Sequence, residues 1–289
     1  MSTIIPDRDA RRELMAAVSA QINLCYTCGS CVNECPVNNA TGRLQPRRLV
    51  WMANLGMAAE LAASPEIWYC VSCGRCARAC PMTVNPARFI RHLRWEAVRR
   101  GTVSAAMPDQ LRALHRDFQR VRYQAAASLL AKQPVEDAAA RWDEWAARKP
   151  ASSRTLALMT GEPDRFRADS GSYLDIPVNV SSCFTCGECS NACPAAFERE
   201  VFDPLLFWRL TNMGMKELAL NSPSLWLCLQ CESCTATCGQ KVSGHLVIRR
   251  LRQMAEDEGI VDAAFLTRWK EVDDSLYAAL LDRVDGLMK

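Results

Sequence analysis

The chain has 289 residues, 49% of them hydrophobic and 23% charged, which excludes a disordered polymer. No run of 18 apolar residues occurs, which excludes an integral membrane segment. The formal charge of +3 suggests no nucleic-acid binder, since the basic stretches are short, and 16 cysteines dominate the composition instead. That is too many for an ordinary cytosolic enzyme and too sparse for a small disulfide scaffold.

The first predicted element is an entry helix. Pro6 falls near its first turn, and Asp7 and Asp9 suit the positive end of the helix dipole. Arg11 and Arg12 before the apolar stretch 14–24 resemble a twin-arginine export signal. Ser19, Gln21 and Asn23 interrupt that stretch, and it runs into Cys25, so an amphipathic helix is the reading adopted. Without export the thiols stay in a reducing compartment, and a cytoplasmic location is expected.

Four cysteine motifs follow, each C-x2-C-x2-C-x3-C. They are Cys25, Cys28, Cys31 and Cys35; Cys70, Cys73, Cys76 and Cys80; Cys183, Cys186, Cys189 and Cys193; and Cys228, Cys231, Cys234 and Cys238. Proline follows the first three, as Pro36, Pro81 and Pro194, and Gly239 follows the fourth. The first and second motifs are 45 residues apart, as are the third and fourth, and the halves are offset by 158. Residues that ligate nothing obey the same offset: Pro46 and Pro204, Asn54 and Asn212, Gly56 and Gly214, Met57 and Met215, Leu93 and Leu251. A whole folded module is therefore duplicated.

Between paired motifs, 47–63 and 205–221 carry apolar residues at helical spacing. Leu49, Met52, Ala53 and Met57 are expected on one buried face, and Leu206, Leu210, Met213 and Leu218 on its counterpart. Prolines 46 and 204 mark helix starts, and Ser64-Pro65 and Ser222-Pro223 mark ends. Further helices are expected over 87–100 and 245–258, and one or two over 103–148 with a break near Pro134. Residues 150–182, rich in Pro, Gly and Ser, read as a linker. A last helix covers 262–289; Phe265, Trp269, Leu276, Leu280 and Leu281 give it an apolar face, for core packing or for a partner. The fold class expected is mainly α: tandem helical ferredoxin modules, 1–149 and 183–289, joined by 150–182.

A C-x2-C-x2-C run holds three irons of a 4Fe–4S cubane, and in two-cluster proteins the last cysteine serves the other cluster. Four crossed clusters follow as an expectation. The first takes Cys25, Cys28, Cys31 and Cys80; the second Cys70, Cys73, Cys76 and Cys35. The third takes Cys183, Cys186, Cys189 and Cys238; the fourth Cys228, Cys231, Cys234 and Cys193. Zinc sites favour two C-x2-C knuckles instead, and disulfides would need export. Thiolate ligation of four 2+ cores would bring the formal charge to about −5.

No catalytic residue is identified. Glycine-loop and G-x-S-x-G signatures are absent, and no two cysteines are adjacent, so there is no CCG sequence. His92, His115 and His245 are scattered and read as surface or core residues. Trp68, Tyr69 and Trp226 flank cysteines and are expected to exclude water from a cluster. The run Arg88, Arg91, Arg94, Arg99, Arg100, echoed by Arg249, Arg250 and Arg252, reads as a solvated face that balances anionic clusters. Its functional alternative is docking on an acidic partner.

Each half, over 25–100 and 183–258, resembles the C subunit of heterodisulfide reductase. The resemblance rests on the paired motifs, on Pro46, Leu49, Asn54, Gly56 and Met57, on Ser64-Pro65 with Trp68 and Ser222-Pro223 with Trp226, and on Leu93-Arg94 and Leu251-Arg252. Two modules in one chain, and Gly239, depart from that family. The resemblance implies an electron-transfer subunit relaying single electrons between a flavin or iron–sulfur donor subunit and a CCG-type subunit that handles disulfide or sulfur. A free-standing polyferredoxin shuttle and an iron–sulfur redox sensor are the alternatives.

Overall fold

The computed structural model describes residues 6–150 and 163–288. Their regular elements are helices apart from one hairpin, Ser172–Tyr173 against Ile176–Pro177, in line with the mainly α expectation. They form two compact units, Met1–Leu114 with Tyr277–Lys289, and His115–Leu276.

In the first unit Asp7 caps helix Arg8–Ala17, its carboxylate accepting from the amides of Asp9 and Ala10. Pro46 opens helix Pro46–Asn54, which buries Pro46, Leu49, Val50 and Ala53. The stretch 47–63 is not one helix. It breaks at Gly56 (φ 77°) and resumes as Ala58–Ala63. A Cβ at Gly56 would overlap the Asp7 carbonyl oxygen, so the break lets the start of the entry helix pack closely. Helix Pro86–Arg99, capped by Asn85, covers the core with Phe89, Ile90 and Leu93. The last turns of the chain pack here too: Asp285 accepts from Tyr69 at 2.5 Å and pairs with Arg43 at 2.5 Å, and Asp282 pairs with Arg43 at 2.9 Å.

The second unit repeats the plan. Helix Pro204–Asn212 is capped by Asp203, breaks at Gly214 (φ 71°) and resumes as Lys216–Leu220. The expected buried face is displaced: Phe207, Trp208 and Leu210 are buried, while Leu206 and Met213 are exposed. The segment is apolar on all sides, so periodicity leaves its rotation open and the bulkier aromatics take the core. Helix Gly244–Asp257 corresponds to Pro86–Arg99. Trp269 is buried with its ring 5.7 Å from the Arg122 guanidinium, and Phe265 packs edge-on to Trp226 at 4.8 Å. The core reading of the last helix holds at these residues.

Part of the expected linker, 151–162, lies outside the described residues. The rest is structured: helix Pro163–Asp169 leads into the hairpin and a 3₁₀ turn, Val180–Ser182. It re-creates the entry to the first module. The Asn85 amide donates to Ala20, and the Ser243 amide, 158 positions on, to Val178. The Asn54 amide side chain holds the Ile22 carbonyl, as Asn212 holds that of Val180. In the division into two units, 115–149 falls with the second unit, and the final turns with the first.

Candidate metal centres

Each C-x2-C-x2-C loop places two residues in the left-handed region. They are Thr27 (φ 64°) and Gly29 (φ 90°), Ser72 (56°) and Gly74 (75°), Thr185 (62°) and Gly187 (87°), and Gln230 (52°) and Glu232 (61°). Alternating left- and right-handed residues turn successive backbone N–H groups towards one concave side, which favours anions. The Ser72 amide accordingly donates to Cys70 Sγ at 3.3 Å, and the Gln230 amide to Cys228 Sγ at 3.4 Å.

These loops and the fourth cysteines surround separate recesses. One, of about 360 Å³ and partly open to solvent, is lined by Cys25, Cys28, Cys31 and Cys80. Another, of about 350 Å³, is lined by Cys183, Cys186, Cys189 and Cys238, with Gly239 on its wall. A third, of about 360 Å³, is lined by Cys193, Cys228, Cys231 and Cys234. Near the remaining motif, burial pushes the Cys76 thiol up, and the neighbouring thiols of Cys70, Cys73, Cys35 and Cys31 push it further. Burial likewise raises Cys35 to about 11 and Cys31 to about 11, the latter with help from Cys25, Cys28 and Cys80. Each of the three recesses is thus lined by three cysteines of one motif and the last cysteine of its partner motif. Raised thiol pKa values mean that metal binding at neutral pH must release protons.

The donor chemistry fits a cubane. Each of the three recesses presents four thiols to one space, the donor number that a 4Fe–4S cubane takes. When bound, a 4Fe–4S cluster supplies single-electron exchange.

Around these recesses several side chains have roles that the sequence did not announce. Arg94 and Arg252, repeat partners, are not part of a solvated face. Arg94 donates to the carbonyls of Ile67 (2.7 Å) and Cys70 (2.5 Å), and Arg252 to those of Leu225 (2.9 Å) and Cys228 (3.1 Å). Each guanidinium also lies over a buried tryptophan, 5.6 Å from Trp68 or 5.3 Å from Trp226. These contacts lock the turn before the second and fourth motifs and set a positive charge beside Cys70 and Cys228. Arg99 and Arg100 instead pair with Glu96 at 2.7 and 3.0 Å.

Trp208 lines both recesses of the second unit. Burial raises the Cys189 thiol, and a hydrogen bond from Trp208 opposes that rise. A Cβ at Gly244 would come within 2.7 Å of both Cys234 Sγ and the Trp208 ring, so this packing requires glycine there. The repeat partner of Trp208 is Val50, and only superposing the halves of the sequence flags the change. The same superposition shows Glu232 where Gly29, Gly74 and Gly187 stand. Of the histidines, His115 is buried, His92 is half-buried, and His245 lines a recess with Nδ1 2.8 Å from Thr235 Oγ1.

The sequence comparisons agree with this geometry. The model of the 4Fe-4S dicluster domain matches twice, at 21–84 and 179–242. The chain thus carries two dicluster domains in tandem, and its 16 cysteines fit four 4Fe–4S clusters.

Among characterised proteins the chain is similar to the C subunits of heterodisulfide reductases. It is 31% identical over 86 residues to the C subunit of the H(2):CoB-CoM heterodisulfide,ferredoxin reductase of Methanothermobacter thermautotrophicus, covering 30% of this chain and 46% of that protein. It is 33% identical over 85 residues to the iron-sulfur C 2 subunit of the CoB–CoM heterodisulfide reductase of Methanocaldococcus jannaschii, covering 29% and 45%. It is 29% identical over 93 residues to the C subunit of the ferredoxin:CoB-CoM heterodisulfide reductase of Methanosarcina acetivorans, covering 29% and 33%. The chain spans under half the length of these relatives. No solved structure matches it significantly. Among the described residues no helix is long and apolar enough to cross a membrane.

Proposed function

We propose that the chain is the electron-transfer subunit of a heterodisulfide reductase-like complex, relaying single electrons through four 4Fe–4S clusters. The observation that carries this reading is that three recesses are each lined by four cysteines, three from one motif and one from its partner, while no cysteine of the sequence lies outside the four motifs. Ligation follows the crossed sets, with Cys80, Cys35, Cys238 and Cys193 each completing the set of the other motif in its module. Full coordination by four thiolates leaves no iron position open to substrate, so the chain itself is not catalytic.

The donor in this reading is a flavin or iron–sulfur subunit, and the acceptor is a CCG-type subunit acting on a disulfide or sulfur substrate. The relatives are named as subunits of heterodisulfide reductases, which supports the disulfide end of that assignment. Each of the two dicluster modules carries two clusters, and the complex is cytoplasmic, where thiols stay reduced.

Anaerobic purification tests the reading. About sixteen iron and about sixteen acid-labile sulfide per chain are expected. Iron near half that value, or zinc without sulfide, would remove the four-cluster relay. Isolation of the native protein without partner subunits would favour the free shuttle.

A further inference from the structure

The internal repeat compares two versions of one surface. At the mouth of the first recess Cys28 is exposed, and so are Tyr26 (57%) and Met82 (38%). Arg47 sits on the rim, its guanidinium donating to the Thr27 carbonyl at 3.3 Å. Pro86, also on the rim, opens the helix that exposes Arg88 and Arg91. Among the described residues no carboxylate lies within 4.0 Å of Arg47, Arg88 or Arg91.

The same mouth in the second module keeps the exposed cysteine, Cys186, and the exposed aromatic, Phe184 (62%). Its charge is different. Leu205 replaces Arg47, Leu246 replaces Arg88, and Glu188 replaces Ser30. Over 25–100 there are ten arginines against four glutamates, a formal +6. Over 183–258 there are seven basic residues against nine acidic ones, a formal −2.

Neutralising bound clusters does not account for this difference. Both modules have eight cysteines and would hold the same cluster charge, so balancing would demand similar basic content in each. Asp282 and Asp285 meet Arg43 from within the chain, but Arg47, Arg88 and Arg91 have no such partner among the described residues.

We propose that the mouth of the first recess is the docking surface for a small acidic electron-carrier protein. This rests on the relay reading and names the partner at one of its ends. Tyr26 and Met82 form an apolar centre over Cys28, where a partner's cofactor can approach most closely. Arg47 on the rim, with Arg88 and Arg91 exposed on the helix that starts there, forms the cationic surface that steers an acidic partner into register. The corresponding mouth of the second module, apolar with a glutamate, does not accept that carrier.

The test is stopped-flow reduction of the cluster-loaded full chain by two donors, an acidic 2Fe–2S ferredoxin and the methyl viologen radical cation. The ferredoxin rate constant should fall steeply with salt, and should fall at least about tenfold in the double variant Arg88→Glu/Arg91→Glu. Neither residue lines the recess at Cys25, Cys28, Cys31 and Cys80. The viologen rate, carried by a cation, should not fall, and the iron and sulfide content and the ferredoxin rate of the control Arg249→Glu should stay at the unsubstituted values. A chain that accepts electrons from viologen but shows a salt-independent ferredoxin rate overturns the docking surface alone, and that measurement needs no variant. An undiminished rate in the double variant overturns it as well. A chain that accepts no electrons even from viologen overturns the relay, and the docking surface with it.

Discussion

Trp208 marks the point at which the two copies of the module diverge chemically. Its hydrogen bond to Cys189 Sγ would stabilise the extra negative charge of a reduced cluster, and Val50 offers the first module nothing equivalent. Trp208→Phe keeps the ring and removes the donor. The cluster at Cys183, Cys186 and Cys189 should then shift to a more negative midpoint potential with iron content unchanged, as read by a redox titration followed by electron paramagnetic resonance. An unmoved potential would remove Trp208 from the tuning of that cluster. Glu232 holds a left-handed position that glycine fills in the other three loops, and Glu232→Gly should stabilise the loaded chain by about 1 kcal/mol in denaturant unfolding. The pairing of Glu232 with His245, at 3.8 Å and half-exposed, offsets little of this. The cysteines are legible in sequence because a cubane fixes ligand spacing. Trp208 is not, because it lies in a run apolar on every side. Arg94 and Arg252 are hidden too, because charge in a helical stretch does not show which way a long side chain folds back.

Among the elements, the broken helices decide how each module closes. The sequence shows a helical stretch over 47–63 and a glycine at the same place in the second copy, but not that the glycine is a corner. Only the partner across the corner, the Asp7 carbonyl in one unit and Pro163 in the other, explains the demand for a missing Cβ. Gly56→Ala should therefore cost about 3 kcal/mol or more, combining left-handed strain with a backbone clash. Gly42→Ala, at φ 68° with nothing within 4 Å of the new methyl, should cost only about 1 kcal/mol. Comparing the two midpoints in thermal unfolding of the loaded chain separates clash from strain; equal losses would show that the entry segment yields. The span 163–182 reads as a linker in sequence because its composition is that of turns. Turn residues there serve a hairpin and a second entry helix, whose partners are too distant along the chain for local pattern to show.

For the whole molecule, the duplication is legible from the 158-residue offset, since ligand and framework positions recur together. The place of the last turns is not, because it depends on Arg43 and Tyr69 meeting Asp285, 242 and 216 positions away. Crossed ligation makes a prediction at this scale. Cys35→Ser should damage the cluster at Cys70, Cys73 and Cys76 and spare the one at Cys25, Cys28 and Cys31, as distinguished by the spectra of the loaded chain. Loss of the nearer cluster instead would reverse the pairing.

The gathering of Cys80 with the first motif and Cys35 with the second also sets a timetable for biosynthesis. As the polypeptide emerges, the second quartet is complete when residue 76 has been made, and the first only at residue 80. In the other module the set at Cys193 is complete at residue 234, and its neighbour at residue 238. In each module the later motif thus acquires its full ligand set before the earlier one. A nascent chain can also present two finished quartets to the iron–sulfur assembly machinery while the third motif, starting at Cys183, is still to be translated.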